Sequence, residues 1–144
     1  MGVPKQSTLP GGQILHYSIG AVIERDGKYV LLDRLKEPFG FACPAGHVDE
    51  REINWRAMDR EVYEETGYRA SEEDFEYLRT FDWSFPEVRV LFPTYRLKPE
   101  RGIEVKLNSQ EHREYRWVTP EECARWPNLI HGFKDLLEKI YNVT

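Results

Sequence analysis

Cysteine is scarce in this 144-residue chain: there are two, Cys43 and Cys123. Two thiols cannot build the disulfide framework of a small secreted domain, and no Cys-x-x-Cys or His-x-x-x-His spacing offers a zinc site. Both are expected to be buried thiols. Long apolar runs are also missing, and none approaches the ~20 residues that span a bilayer. Residues 1–10 hold no apolar signal stretch. Gln6 stands where a myristoylation motif following Gly2 takes Ser or Thr. The expectation from these absences is a cytoplasmic protein with no membrane partner. Positive charge is in deficit as well, with 20 Lys and Arg against 25 Asp and Glu and a net charge of -5. A protein that grips an extended nucleic acid needs the opposite balance. The acidity does not exclude small phosphorylated ligands, because bound divalent cations reverse the local charge.

What is present suits one domain. The chain is 40% hydrophobic and 31% charged, enough apolar material for a core beneath a charged surface. Residues 1–13, rich in Gly, Pro and polar side chains, read as a loose lead-in, and 14–144 as a single domain. Residues 16–24 are apolar and β-branched and predict a strand; Asp26-Gly27 is a hairpin turn, and 28–34 the return strand. Residues 38–46 hold two prolines and two glycines and read as loop with a short extended piece near Phe41. Residues 50–66 lack Gly and Pro and predict one helix, capped by Gly67. Strands are expected at 74–81, 88–97 and 113–118, with a polar loop over 98–112. Thr119-Pro120-Glu121-Glu122 is a helix start, and 129–141 an amphipathic helix. This mixture predicts an α/β fold, a mixed sheet with helices on both faces.

The segment that carries chemistry is 46–68, GHVDEREINWRAMDREVYEETGY. At about 100° per residue, Glu64 lies about 60° to one side of Glu61 and Glu65 about 40° to the other. Three carboxylates therefore share one arc of about 100°. A merely solvated acidic face would be segregated from apolar side chains. Here Ala57, Met58 and Val62 fall on the same side. A self-repelling, partly buried acid cluster needs a positive partner. Arg60 can reach Glu64 at i+4, and a divalent cation is the stronger candidate. Carboxylate oxygens make a hard site of the kind Mg²⁺ or Mn²⁺ prefers.

The same residues resemble the Nudix box: Gly46, Glu52, Arg60-Glu61, Val62, Glu64-Glu65, Gly67 and Tyr68 stand in its order and spacing. All seven fixed positions are filled, and chance would produce this on the order of 10⁻⁵ of the time, so coincidence is set aside. Tyr68 is aromatic where an aliphatic residue is usual, and Ala45 replaces a frequent second Gly; neither removes a ligand side chain. The resemblance covers about residues 16–142. It implies the Nudix α/β/α sandwich and Mg²⁺-dependent hydrolysis of a phosphoanhydride in a nucleoside triphosphate, or in another nucleoside diphosphate linked to a further group. It implies Glu61, Glu64 and Glu65 as metal ligands, Glu52 as an auxiliary ligand and the Ala45 carbonyl as a further one. Glu61, Glu64 and Arg60 would belong to the catalytic set, with Arg60 orienting the carboxylates. Gly46 and Gly67 would shape the backbone where a side chain does not fit. A base comes from the box or a downstream loop in similar proteins; Glu111 is the candidate, with Glu114 second.

Substrate selection is the weakest signal. Trp83 and Phe85 offer aromatic faces for a base, against the alternative of packing at a sheet edge. Arg34, Lys36 and Arg89 are candidate phosphate contacts. His47, directly after the box glycine, reads as a hydrogen-bonding residue rather than a catalyst. Relatives directed at ADP-ribose or dinucleoside polyphosphates remain alternatives, as does a catalytically silent nucleotide-binding regulatory module. An RNA-cap enzyme fits the acidic chain poorly, and the isomerase of isopentenyl diphosphate, which shares this fold, has no recognisable Cys and Glu arrangement here. Homodimers are common among similar proteins.

Overall fold

The structure is a computed structural model that describes residues 3–37, 39–99, 104–130 and 132–141. Parts of the expected lead-in, the two polar loops, the last helix and the domain end, at 1–2, 38, 100–103, 131 and 142–144, lie outside the described residues. The strands are β1 (Gln6–Thr8), β2 (Ile14–Arg25), β3 (Lys28–Arg34), β4 (Gly40–Ala42), β5 (Ala45–His47), β6 (Phe75–Ser84), β7 (Val88–Leu97) and β8 (His112–Val118). The helices are α1 (Asn54–Thr66), α2 (Pro120–Ala124) and α3 (Phe133–Tyr141).

The strands form one mixed sheet in the order β4-β3-β2-β7-β6, with β1 and β5 also pairing to β2 and β8 to β3. The central β2–β7 pair is parallel, whereas the β2–β3 hairpin is antiparallel. That hairpin turns at Asp26 and Gly27, both at positive φ, the requirement of a tight two-residue turn.

Alternation along β2 and β3 assigns the two faces. Ile19, Ala21, Ile23, Val30 and Leu32 pack against Ala57, Met58 and Val62 of α1. Their neighbours Val22, Tyr29 and Leu31 point the other way and pack against Cys123 and against Phe133, Leu136 and Leu137 of α3. A period of two on strands buried from both sides therefore makes an α/β/α sandwich. Both cysteines are free and buried. No helix among the described residues is long and apolar enough to cross a membrane.

Local differences from the sequence expectations have physical causes: residues 45 and 46, read as loop, belong to β5 because that segment pairs with β2. Residues 6–8, inside the supposed loose lead-in, form β1 because they pair with β2. The carboxylate helix starts at Asn54 rather than at residue 50. Glu52 sits in the preceding turn, where its backbone N–H donates to Asp49 O and its carboxylate accepts from Asp49 N. β6 continues to Ser84 and takes in Trp83. The last helix starts at Phe133, because Gly132 is left-handed and residues 128–130 bond along Phe41 of β4.

Candidate active site

Four elements meet at one end of the sheet. α1 supplies Arg60, Glu61, Glu64 and Glu65; β5 supplies Ala45, Gly46 and His47; the end of β3 supplies Arg34. Glu111 lies just before β8, and His112 begins it. The β3–β8 ladder sets Arg34 directly opposite His112.

The helix turns Glu61 and Glu65 inward, 9% and 3% exposed, alongside Ala57, Met58 and Val62. Glu64 stands outside, with 46% of its side chain exposed. Arg60 gathers the acids. Its Nε and Nη2 donate to the two oxygens of Glu52 at 2.7 and 2.9 Å, a bidentate pair. Its Nη1 donates to Glu61 at 2.9 Å and reaches Glu64 at 3.4 Å, and Nη2 also donates to the His47 carbonyl at 2.9 Å. The expected Arg60–Glu64 pair is thus present but is longer than those to Glu52 and Glu61, and Asp49 Oδ2 lies 3.7 Å from Nε. Glu65 takes a different partner: its Oε2 accepts the Ala45 N–H at 3.2 Å.

Glycine is required at two points. A Cβ on Gly46 would fall onto the Glu61 carboxylate. Gly67 caps α1 at φ 80° and donates its N–H to Tyr63 O at 2.8 Å.

The electrostatics follow burial. Glu61 is pushed up to about 7, first by desolvation and then by Glu64 and Glu111, with Arg60 opposing. Glu65 is raised well above the ordinary carboxylate range by desolvation, then by the charges of Glu61 and Glu111, with Arg34 among the opposing influences. Glu52 moves the other way, because Arg60 hydrogen-bonds its ionised form. Glu111 therefore lies within electrostatic reach of both buried acids, as does Arg34 of Glu65. Glu114 instead pairs with Arg116 at 3.1 Å on β8.

The remaining candidates fall elsewhere. Trp83 stacks on Phe81 and tilts against Phe92, both 5.4 Å away, on the sheet face opposite α1. Phe85 is exposed just beyond the end of β6. Arg89 is engaged by Asp82 across the β6–β7 pair. The structure brings Arg34 to the acids, while these three side chains are engaged in or exposed at the β6–β7 hairpin. Lys36 is exposed. His47 contacts Ser18 at 3.4 Å, with the His16 ring 6.1 Å away, consistent with a hydrogen-bonding residue.

Sequence reasoning missed His112. It is 4% exposed, and its Nε2 lies 3.5 Å from Glu65 Oε1. Burial, with Arg34 nearby, pushes its imidazole down to about 4, so it is neutral near pH 7. Its only local signal was adjacency to Glu111.

Among the described residues, no three His, Cys, Asp or Glu side chains converge as a ready-made metal cage. Glu52, Glu61 and Glu64 turn onto Arg60 instead. The donor set is nonetheless right in kind for a hard cation: it is all carboxylate, and two members are buried acids whose mutual repulsion Arg60 offsets only in part.

The NUDIX domain model matches residues 14–137, and the chain belongs to that family as a Nudix hydrolase. It is 27% identical over 119 residues to phosphatase NudJ of Escherichia coli K12, covering 79% of this chain and 74% of that protein. The crystal structure of a MutT NUDIX hydrolase from Burkholderia pseudomallei superposes with a TM-score of 0.74 at 26% identity, covering 88% of this chain and 98% of the other. The solution structure of the Escherichia coli ORF135 protein gives 0.73 at 25%, covering 92% and 91%.

Proposed function

We propose that residues 14–144 act as one catalytic domain that hydrolyses a phosphoanhydride bond with a divalent cation, Mg²⁺ or Mn²⁺, as cofactor. The substrate is a nucleoside triphosphate or another nucleoside diphosphate carrying a further group, met in the cytoplasm. The observation that carries the reading is the burial of Glu61 and Glu65 side by side on α1, against Gly46 and the Ala45 N–H. Folding alone gains nothing from two buried, mutually repelling acids, since each costs desolvation. Glu61, Glu64 and Glu65 would hold the cation, with Glu52 auxiliary and the Ala45 carbonyl beside them. Once bound, it supplies charge neutralisation of the diphosphate oxygens and Lewis acidity.

The chain's own residues do the rest. Arg60 keeps Glu52, Glu61 and Glu64 gathered on one side of α1, from which they turn toward the cation. Arg34, set at the end of β3 toward Glu65, binds a phosphate oxygen. Glu111 accepts a proton from the attacking water, which displaces one phosphoryl group from the other. Trp83, Phe85 and Arg89 are more distant contacts for the group beyond the diphosphate.

The test is turnover by purified protein with Mg²⁺ or Mn²⁺ on nucleoside triphosphates, ADP-ribose, dinucleoside polyphosphates, sugar nucleotides and CoA, read as phosphate after a coupling enzyme. Hydrolysis of at least one class is expected, with kcat/KM lowered at least ~100-fold in Glu64→Gln. Because Glu64 is exposed, that variant keeps the wild-type melting temperature. Absence of turnover on every class overturns the proposal.

A further inference from the structure

We infer that His112 is a positioning residue: its imidazole donates from Nε2 to Glu65 Oε1, orienting that carboxylate for the cation and docking the Glu111 segment onto α1. The inference rests on the metal-dependent reading above and adds to it a residue outside the box. Three observations carry it. First, His112 is 4% exposed, and its Nε2 lies 3.5 Å from Glu65 Oε1, while Glu65 Oε2 already accepts the Ala45 N–H at 3.2 Å. The two groups thus face opposite oxygens of one buried carboxylate. Second, Nδ1 of His112 is buried without a partner among the described residues. A ring retained for packing alone would be better replaced by an aliphatic side chain, which leaves no polar atom stranded. With Glu65 ionised, as a cation ligand must be, the tautomer that carries hydrogen on Nε2 is the one that can donate to it. Third, the backbone ties this residue to the candidate base. The N–H groups of Glu111 and His112 both donate to Asn108 O, at 3.0 and 2.9 Å, and Leu35 N donates to Glu111 O at 2.9 Å. A shift of His112 is therefore a shift of Glu111.

The arrangement matches the known behaviour of residues that orient metal ligands, whose loss weakens metal affinity or activity ~10–100-fold. The experiment compares His112→Leu, His112→Gln and His112→Asn with wild type, each checked for a cooperative melt. Mn²⁺ affinity is measured without substrate by electron paramagnetic resonance, and kcat and KM on the substrate found in the screen. His112→Leu is expected to weaken Mn²⁺ binding ~10–100-fold and lower kcat similarly, with KM changed less than ~3-fold. His112→Gln, whose amide reaches the Nε2 position, restores most of both; His112→Asn, one bond shorter, does not. The ¹⁵N spectrum of wild type loaded with diamagnetic Mg²⁺ should show the proton on Nε2.

Leucine behaving as wild type, glutamine as impaired as leucine, or a proton on Nδ1 each overturns the inference. If the leucine variant does not fold, equal Mn²⁺ affinity in the glutamine and asparagine variants does so instead. Wild type that neither binds Mn²⁺ nor turns over any substrate overturns the functional reading itself. Wild type that does both, beside a leucine variant that does both equally, overturns only the role of His112.

Discussion

Glu61 and Glu65 are buried acids that repel one another, and the guanidinium beside Glu61 is shared with Glu52 and Glu64. Glu61 titrates at about 7 in the fold against an ordinary 4.5. Its stabilising contribution is therefore complete below pH 4.5 and lost as pH rises through 7. His112 runs oppositely: its folded value of about 4 lies below 6.5, so its contribution is complete above 6.5 and lost as pH falls through 4. The two windows overlap, and a substitution separates them. In chelator, Glu61→Gln is expected to be more stable than wild type by ~2 kcal/mol at pH 8, and equal to it at pH 4. Urea midpoints at the two pH values check this, and a glutamine variant less stable at pH 8 would show that the Arg60 pair outweighs burial. The Glu61, Glu64 and Glu65 arc was legible in the sequence because helical periodicity is local. His112 was not, because its partner lies on another element, and a lone histidine at a strand start has no spacing to betray it.

At the scale of elements, three residues of β5 decide how closely the helix can approach the sheet. Gly46 pairs with Ile19 of β2 and presents bare backbone to the Glu61 carboxylate. Gly46→Ala is expected to cost ~1–3 kcal/mol, as overpacking does, and to move Glu61. Melting temperature and turnover should both fall, with turnover falling at least ~10-fold. A stable variant with wild-type kcat would show that Glu61 has room to move harmlessly. β5 was read only as loop, since Pro44 before it and Gly46 within it hide a strand that forms by pairing with β2. The start of α1 was read too early for a related reason. Residues 50–53 are good helix formers, yet Glu52 spends its side chain on Asp49 N and Arg60. The end of that helix, by contrast, was legible in Gly67, whose left-handed backbone stops a helix without tertiary help.

For the whole molecule, the sandwich places the acids where two layers and a sheet end meet, so ligand binding and folding are coupled. A cation that binds only the folded state stabilises it by mass action, about 2.7 kcal/mol at one hundred times its dissociation constant. Saturating Mn²⁺ should therefore raise the melting temperature of wild type at pH 8, and chelation should reverse it; Glu65→Gln should show little of either effect. An equal shift in both proteins would remove Glu65 from the cation site. The sequence by itself determined the family, the alternation that buries β2 and β3 from two sides, and the helix face that carries the carboxylates. Each of these is a pattern repeated within a few residues along the chain. Only the tertiary structure decided that Arg60 binds Glu52 more tightly than Glu64, that Arg34 and His112 face each other beside Glu65, and that Trp83 packs away from the acids. Those outcomes depend on strand register and on burial by distant elements, which no local spacing encodes.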